Sequence, residues 1–109
     1  MRKLRIEGLG EMAPVVPAPM SGYGDRAWRT LARFMHCDLV IVPLISAEGL
    51  IRDDAKTHDL LDIEYELPPV AVQVFGKNLE SLAEATRRIE ALGAQAVDLN
   101  LGCPTRKVV

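Results

Sequence analysis

The sequence predicts an α/β protein built around a parallel sheet, because short apolar strands alternate with helical segments along the chain. Residues 38–45 and 70–75 are almost continuously apolar, which is typical of strands covered on both faces. Other apolar residues recur at helical spacing, and the links between segments are short. The predicted order, β-α-β-α-β-α-β, gives about four parallel strands with intervening helices and right-handed crossovers.

The first segments are short strands followed by a helix. Leu4–Ile6 is expected to form part of a lid hairpin, and Val15 and Val16 are read as a strand that enters Pro17. Asp25 is a good N-cap for the next helix. The buried face of that helix is predicted from apolar residues at helical spacing, namely Ala27, Trp28, Leu31, Ala32 and Met35.

The later segments repeat this alternation. Ser46 is read as the cap of a short helix, whereas the polar stretch 52–67 is assigned only one helical turn near Leu60. Asn78 caps a helix over about 79–92, and Gly93 supplies its left-handed C-terminal position. The buried face of this helix is predicted to be Leu82, Ala85, Thr86, Ile89 and Leu92. A final strand, Ala96–Leu99, completes the order.

The composition is that of an ordinary globular protein. The 109 residues are 49% hydrophobic and 26% charged, with a net charge of −2, so no global basic field indicates nucleic-acid binding. Two cysteines and no leader-like start predict a cytoplasmic, reducing location, and no apolar run is long enough to cross a membrane. Two histidines without clustered cysteines make a metal site improbable.

The most informative segment is the turn after the last strand, Asn100-Leu101-Gly102-Cys103-Pro104. Glycine before and proline after Cys103 predict a constrained turn with the thiol facing outward. In α/β barrels the carboxyl ends of the strands hold the chemistry. The residues alone leave two interpretations of Cys103 open: a catalytic thiol, and a small buried hydrophobe.

Other polar residues also have two interpretations. Gln73 lies inside an apolar strand, where a buried amide needs partners at both ends, either a ligand or a buried network. Asn100 also suits a cap or turn, and the basic pair Arg106 and Lys107 also suits a solvated surface.

Four motifs, in order and at matching spacing, resemble the tRNA-dihydrouridine synthases. They are Ala18-Pro19-Met20-Ser21-Gly22 with Asp25-Arg26-Ala27 behind it, Ile45-Ser46-Ala47-Glu48-Gly49-Leu50, Val72-Gln73-Val74-Phe75-Gly76, and Asn100-Leu101-Gly102-Cys103-Pro104-Thr105-Arg106-Lys107-Val108. Two departures stand out. The family usually has threonine where this chain has Gly24, and a glutamate where it reads Pro43-Leu44.

This resemblance implies that residues 1–109 are the first half of a TIM (β/α)8 barrel, the amino-terminal portion of a flavin-binding domain. The second half of the barrel and the C-terminal helical RNA-binding domain would then be absent. In the family, NADPH reduces FMN, and flavin N5 passes hydride to C6 of a uridine in tRNA. The resemblance makes Cys103 the proton donor to C5. It further implies that Pro19, Met20, Ser21 and Gln73 contact FMN, Asn100 holds the uracil, and Arg106 and Lys107 face RNA or cofactor phosphates.

Two alternatives remain at this point. One is an FMN barrel that reduces free pyrimidines, although Ser46-Ala47-Glu48-Gly49 and the Gly102-Cys103 pair favour the tRNA enzymes. The other is an inert fragment or scaffold, since a barrel cut after four strands exposes two open edges that invite self-association. We therefore expect the isolated chain to bind FMN weakly or not at all, without turnover.

Overall fold

A computed structural model of the protein describes residues 2–102. The elements in chain order are β1 (Leu4–Ile6), β2 (Gly10–Met12), α1 (Arg26–Phe34), β3 (Val40–Ser46), α2 (Ala47–Ile51), α3 (Ala55–Leu60), β4 (Val70–Phe75), α4 (Leu79–Ala91) and β5 (Ala96–Leu99). The predicted α/β class is therefore confirmed.

The main sheet is parallel and has β4 between β3 and β5. Within residues 2–102 it contains three strands, so the prediction of about four is wrong by one. The missing strand is the one assigned to Val15 and Val16, which lie outside any strand. Pro17 and Pro19 follow directly, and because proline has no N–H to donate to a ladder, the segment is a poor strand.

The predicted N-terminal hairpin is present as an antiparallel pair of β1 and β2, in which Leu4 lies opposite Met12. Met12 is 2% exposed and packs with Leu39 and Ala71 against one face of the sheet. The hairpin therefore covers the amino-terminal end of that face, as a lid does.

The opposite face of the sheet is covered by helices and holds the main core. Alternate residues of β3 and β4, such as Val42 and Val72, are fully buried there. Ala85 and Ile89 of α4 pack on them, as the helical spacing predicted. Leu92, expected on the same face, is half exposed because it lies at the helix C-cap.

Strand β3 contains a bulge at its carboxyl end. The register is regular up to Val42, which pairs with Val72, and resumes with Ile45 opposite Val74. Two residues, Pro43 and Leu44, thus stand against a single residue of β4, and Leu44 has a φ of 52°. The extra residue keeps Ile45 in the helix-covered core.

The predicted helix starts are confirmed at Asp25, Ser46 and Asn78, whose side chains each accept a hydrogen bond from a backbone N–H in the first turn. Gly93 has a φ of 104°, as expected for the residue after α4. In the stretch 52–67, where one helical turn was expected near Leu60, the structure has helix α3, which ends at Leu60 and is capped by Asp54.

The orientation predicted for α1 is wrong. Apart from Ala32, the residues expected to be buried are exposed, and Trp28, Leu31 and Met35 are 41%, 53% and 67% accessible. Arg29 is buried instead, at 2% exposure. Its guanidinium donates to the backbone oxygens of Gly24 and Asp62 and to the Glu66 carboxylate, so α1 is turned to satisfy these polar contacts.

Candidate active site at the carboxyl ends of the strands

A cleft of about 640 Å³ lies where β3 and β4 end. Ser21 and Gly22, from the loop before α1, form part of its lining, together with Leu44 and Phe75 from the strand ends. Arg52, Lys56 and Lys77 add cations to the lining, and Glu48 and Asp54 add carboxylates. The cleft therefore combines apolar walls with charged groups of both signs.

Two hydrogen bonds fix the shape of this cleft. The Glu48 carboxylate accepts a hydrogen bond from the backbone N–H of Lys77 at 2.9 Å, which ties the loop after β4 to α2. The Ser46 hydroxyl accepts from the backbone N–H of Gly49 at 3.1 Å. A β-carbon at Gly49 would lie 2.5 Å from Thr57 Oγ1, so only glycine fits against α3 at this point.

The Asp54 carboxylate is hydrogen-bonded to the first turn of α3, the helix that it caps. It accepts hydrogen bonds from the hydroxyl of Thr57 at 2.9 Å and from its backbone N–H at 3.1 Å. Both contacts favour the charged carboxylate, so the pKa of Asp54 lies below its ordinary value of 3.8. Asp54 therefore contributes a fixed negative charge to the cleft at neutral pH.

A second group of polar side chains lies on the face of the sheet away from the helices, on β4 and β5. Gln73 pairs in register with Asp98, and its amide nitrogen donates to the Asp98 carboxylate at 2.8 Å. The amide nitrogen of Asn100 donates to the amide oxygen of Gln73 at 3.3 Å. The Asn100 amide oxygen in turn accepts from the backbone N–H of Gly102 at 3.1 Å.

These contacts make one hydrogen-bonded chain from Asp98 to the residue before Cys103. The backbone takes part as well, since Asn100 N–H donates to the carbonyl of Val74 at 2.9 Å and extends the β4–β5 ladder by one bond. Gly102, which precedes Cys103 in the sequence, is thereby attached to the carboxyl end of the sheet, where parallel α/β proteins place reactive groups.

The structure brings some of the predicted residues together. Gln73 and Asn100 are hydrogen-bonded to each other, and Ser21 lines the cleft. The described lining of that cleft does not include Pro19 or Met20, although the Met20 carbonyl accepts from Tyr23 and Gly24 to close the adjoining turn. The predicted Cys103, Arg106 and Lys107 lie outside the described residues.

Two members of the site were missed in the sequence. Asp98 was read only as part of a strand, although a carboxylate two residues before Asn100 must share its face. Glu48 was named only as part of a short helix and of the family motif at 45–50, and its contact with Lys77 spans 29 residues. The contact of Asp98 had a usable local signal in the sequence, and the contact of Glu48 had none.

Residues 2–102 contain no cluster of three or more side chains that could hold a metal ion. The same part of the chain has no helix that is both long and apolar enough to span a membrane.

Comparison with known proteins identifies the family. Residues 16–109 match the family model described as dihydrouridine synthase (Dus). The tRNA-dihydrouridine synthase B of Pseudomonas aeruginosa is 35% identical over 94 residues, which cover 86% of this chain and 28% of the relative. A probable tRNA-dihydrouridine synthase of Rickettsia prowazekii is 32% identical over 97% of this chain and 33% of the relative.

A probable tRNA-dihydrouridine synthase of Rhizobium leguminosarum is 35% identical over 87% of this chain and 30% of the relative. The chain thus spans about a third or less of the length of these curated relatives. No solved structure matches it. Since the family model covers most of the chain, the protein belongs to the dihydrouridine synthase family.

Proposed function

We propose that this chain is the amino-terminal part of the barrel domain of a flavin-dependent tRNA-dihydrouridine synthase, which reduces the C5–C6 bond of uridine in tRNA. The observation that carries the proposal is the hydrogen-bonded chain from Asp98 through Gln73 and Asn100 to Gly102, directly before Cys103. It supports a site in which a cofactor-binding amide, a substrate-binding amide and a thiol adjoin one another. The relatives' names support tRNA as the substrate.

The residues present fit FMN. The Gln73 amide is half-buried on the open face of an otherwise apolar strand, a position that suits a hydrogen bond to the polar edge of a flat ring. The half-buried Pro19, the exposed Met20 and Ser21 would form the apolar and backbone platform beside that ring. When bound, FMN supplies the hydride for C6 and is reduced by NADPH.

In this proposal the protein's own residues position the uridine and move one proton. Cys103 holds a proton on its thiol and delivers it to C5. The glycine before it and the proline after it in the sequence favour a constrained backbone that would limit where the sulfur can lie. Asn100 orients the uracil, because an amide both donates and accepts hydrogen bonds. We further propose that Arg106 and Lys107 bind the phosphates of the RNA or the cofactor.

The alternative acceptor, a free pyrimidine, is less favoured because the matched relatives are named as tRNA enzymes. Assays that offer unmodified tRNA and free uracil to the same reduced enzyme separate the two. Reduction of tRNA alone supports the proposal, whereas reduction of uracil alone contradicts it.

The decisive experiment uses a hybrid in which the 94 matching residues replace their counterpart in the Pseudomonas aeruginosa enzyme. We expect Cys103→Ala in this hybrid to leave flavin reduction by NADPH intact and to abolish dihydrouridine formation in tRNA. Cys37→Ala is the matched control, since this half-buried cysteine packs against the core away from the site. Normal dihydrouridine formation by Cys103→Ala would disprove the catalytic assignment.

For the 109-residue chain by itself we propose weak or no FMN binding and self-association through the outer edges of β3 and β5. Each of these strands has one neighbour in the described sheet, and an unpaired edge is a template for another copy. Flavin fluorescence titration and sedimentation velocity test the two statements. A monomer that binds FMN tightly contradicts both statements, and turnover by that monomer would exclude the inert-scaffold alternative.

A further inference from the structure

We propose that Asp98 is a positioning residue, which sets the direction of the hydrogen bonds that run through Gln73 and Asn100 to the backbone of Gly102. The role in orientation is argued from the contacts alone. Its catalytic consequence rests on the proposed function, in which those two amides bind cofactor and substrate.

The direction follows from the chemistry of the first member. A carboxylate oxygen only accepts hydrogen bonds, whereas a side-chain amide can donate at one end and accept at the other. The Gln73 amide must therefore turn its nitrogen toward Asp98, and the 2.8 Å contact has this arrangement. Its oxygen is then left to face Asn100.

The same reasoning applies to the next two hydrogen bonds. Because the Gln73 oxygen accepts, Asn100 must offer its nitrogen, and the two atoms lie 3.3 Å apart. The Asn100 oxygen is then directed at the Gly102 N–H, 3.1 Å away. The Gly102 N–H can only donate, so it favours the same direction from the other end. Asp98 therefore reinforces one of two arrangements, and its loss weakens that preference.

The fold supports this role. Gln73 and Asp98 are direct partners in the β4–β5 register, and residues 98 and 100 lie on the same face of an extended segment. Both Gln73 and Asp98 are half-buried, so the contact between them is partly shielded from water. A single substitution at Asp98 should therefore disturb the cofactor-binding amide, the substrate-binding amide and the turn before Cys103 at once.

Solution NMR of the 109-residue chain tests the inference without flavin. Asp98→Asn keeps the shape but replaces an obligate acceptor with an amide that can either accept or donate. The Gln73 amide is then held less strongly in one direction, so we expect its side-chain resonances to move or split. Exchange of the Gly102 amide should become about tenfold faster, the factor that corresponds to ~1.4 kcal/mol of lost hydrogen bonding. Asp59→Asn, at an exposed aspartate on α3, is the matched control.

Asp98→Glu separates orientation from shape. Glutamate retains the accepting carboxylate but changes the length, so we expect it to restore slow Gly102 exchange, at least in part. If Asp98 only fills space, Asp98→Asn keeps slow exchange at Gly102 and Asp98→Glu does not. Wild-type Gln73 and Gly102 signals in Asp98→Asn overturn the inference. If that variant unfolds, Asp98→Glu decides, because fast exchange at Gly102 in a folded Glu variant also overturns it.

A second measurement, FMN titration of the Pseudomonas hybrid, distinguishes this inference from the proposed function. We expect about tenfold weaker FMN binding in Asp98→Asn, with recovery in Asp98→Glu. If no form of the hybrid binds FMN but the NMR shifts occur, the orientation role stands and the proposed function fails. If Asp98→Asn and wild type bind FMN equally, the inference fails and the proposed function survives.

Discussion

Helices α1 and α4 look alike in sequence but are attached to the sheet in different ways. Both begin at a capping side chain and both carry apolar residues at helical spacing. Helix α4 buries that apolar face through Ala85 and Ile89, whereas α1 exposes most of its apolar face and buries Arg29. The comparison shows that a helix can be fixed by a polar network as well as by a hydrophobic stripe.

The largest effect is expected where α1 depends on one buried charge. Arg29→Met leaves the Glu66 carboxylate, 5% exposed, without its closest ion-pair partner, and we expect a loss of about 3–5 kcal/mol in unfolding free energy. Urea denaturation followed by circular dichroism measures this loss. Arg26→Met is the control, because Arg26 forms an exposed ion pair with Asp62 and should change stability by about 1 kcal/mol or less.

The double variant Arg29→Met with Glu66→Leu sharpens this result. Removing both charges leaves no unpaired carboxylate, so a large part of the stability should return. If the single Arg29 variant is as stable as wild type, the view that polar contacts hold α1 is wrong.

The next effect concerns the apolar face of α4. Ile89 is fully buried against β3 and β4, so Ile89→Ala should lower the unfolding free energy by about 2–5 kcal/mol through lost burial and a cavity. Leu79→Ala, at an 83% exposed position of the same helix, should stay within about 0.5 kcal/mol of wild type. Equal losses in the two variants would contradict the assigned orientation of α4.

Removing the N-cap side chain should destabilise α1 and α4 by similar amounts, because both helices begin with the same kind of capping hydrogen bond. Asp25 accepts from the backbone N–H of Trp28 at 2.9 Å, and Asn78 accepts from that of Ser81 at 2.8 Å. Alanine at either position should cost about 1 kcal/mol in thermal or urea unfolding. A much larger loss at Asp25 would mean that the loop before α1, and not its cap, is the sensitive feature.

The smallest effect is expected at the exposed ion pair of α4, between Arg88 and Glu84, in contrast to the buried pair of α1. The Arg88 guanidinium, and then that of Arg87, holds the pKa of Glu84 below its ordinary value of 4.5. The stability from this depressed pKa is therefore fully present above the unfolded pKa and is lost as the pH falls through the folded pKa. Arg88→Met should raise the pKa of Glu84 in an NMR titration, and salt should weaken the wild-type shift. An unchanged pKa would contradict the pairing.

The sequence predicted those parts of the fold that depend on local chemistry. Caps at Asp25, Ser46 and Asn78, the buried strands and the face of α4 all follow from residues within a few positions of one another. The orientation of α1 does not, because Glu66, a partner of Arg29, lies 37 residues away, in a stretch for which the sequence predicted only one helical turn. An apolar stripe indicates that a surface can be buried but not what covers it.

The candidate site shows the same limit. Gln73 and Asn100 were each singled out as polar residues in an apolar setting, and the structure joins them by a hydrogen bond. The contact between Gln73 and Asp98 depends on the register of β4 and β5, which no local pattern specifies. Polar residues near a strand end can therefore be recognised singly, whereas their order in a network requires the fold.

The bulge in β3 affects how this chain can be aligned with its relatives. Pro43 and Leu44 together face the single residue Gln73, so a strand without the bulge is one residue shorter at this point. A comparison with such a relative needs a gap here, and positions on either side of it follow different offsets. Without that gap, Ile45 would be matched to an outward-facing residue and Ser46 would lose its equivalence as a helix cap. The apparent replacement of a family glutamate at Pro43-Leu44 therefore has to be judged after the gap is placed.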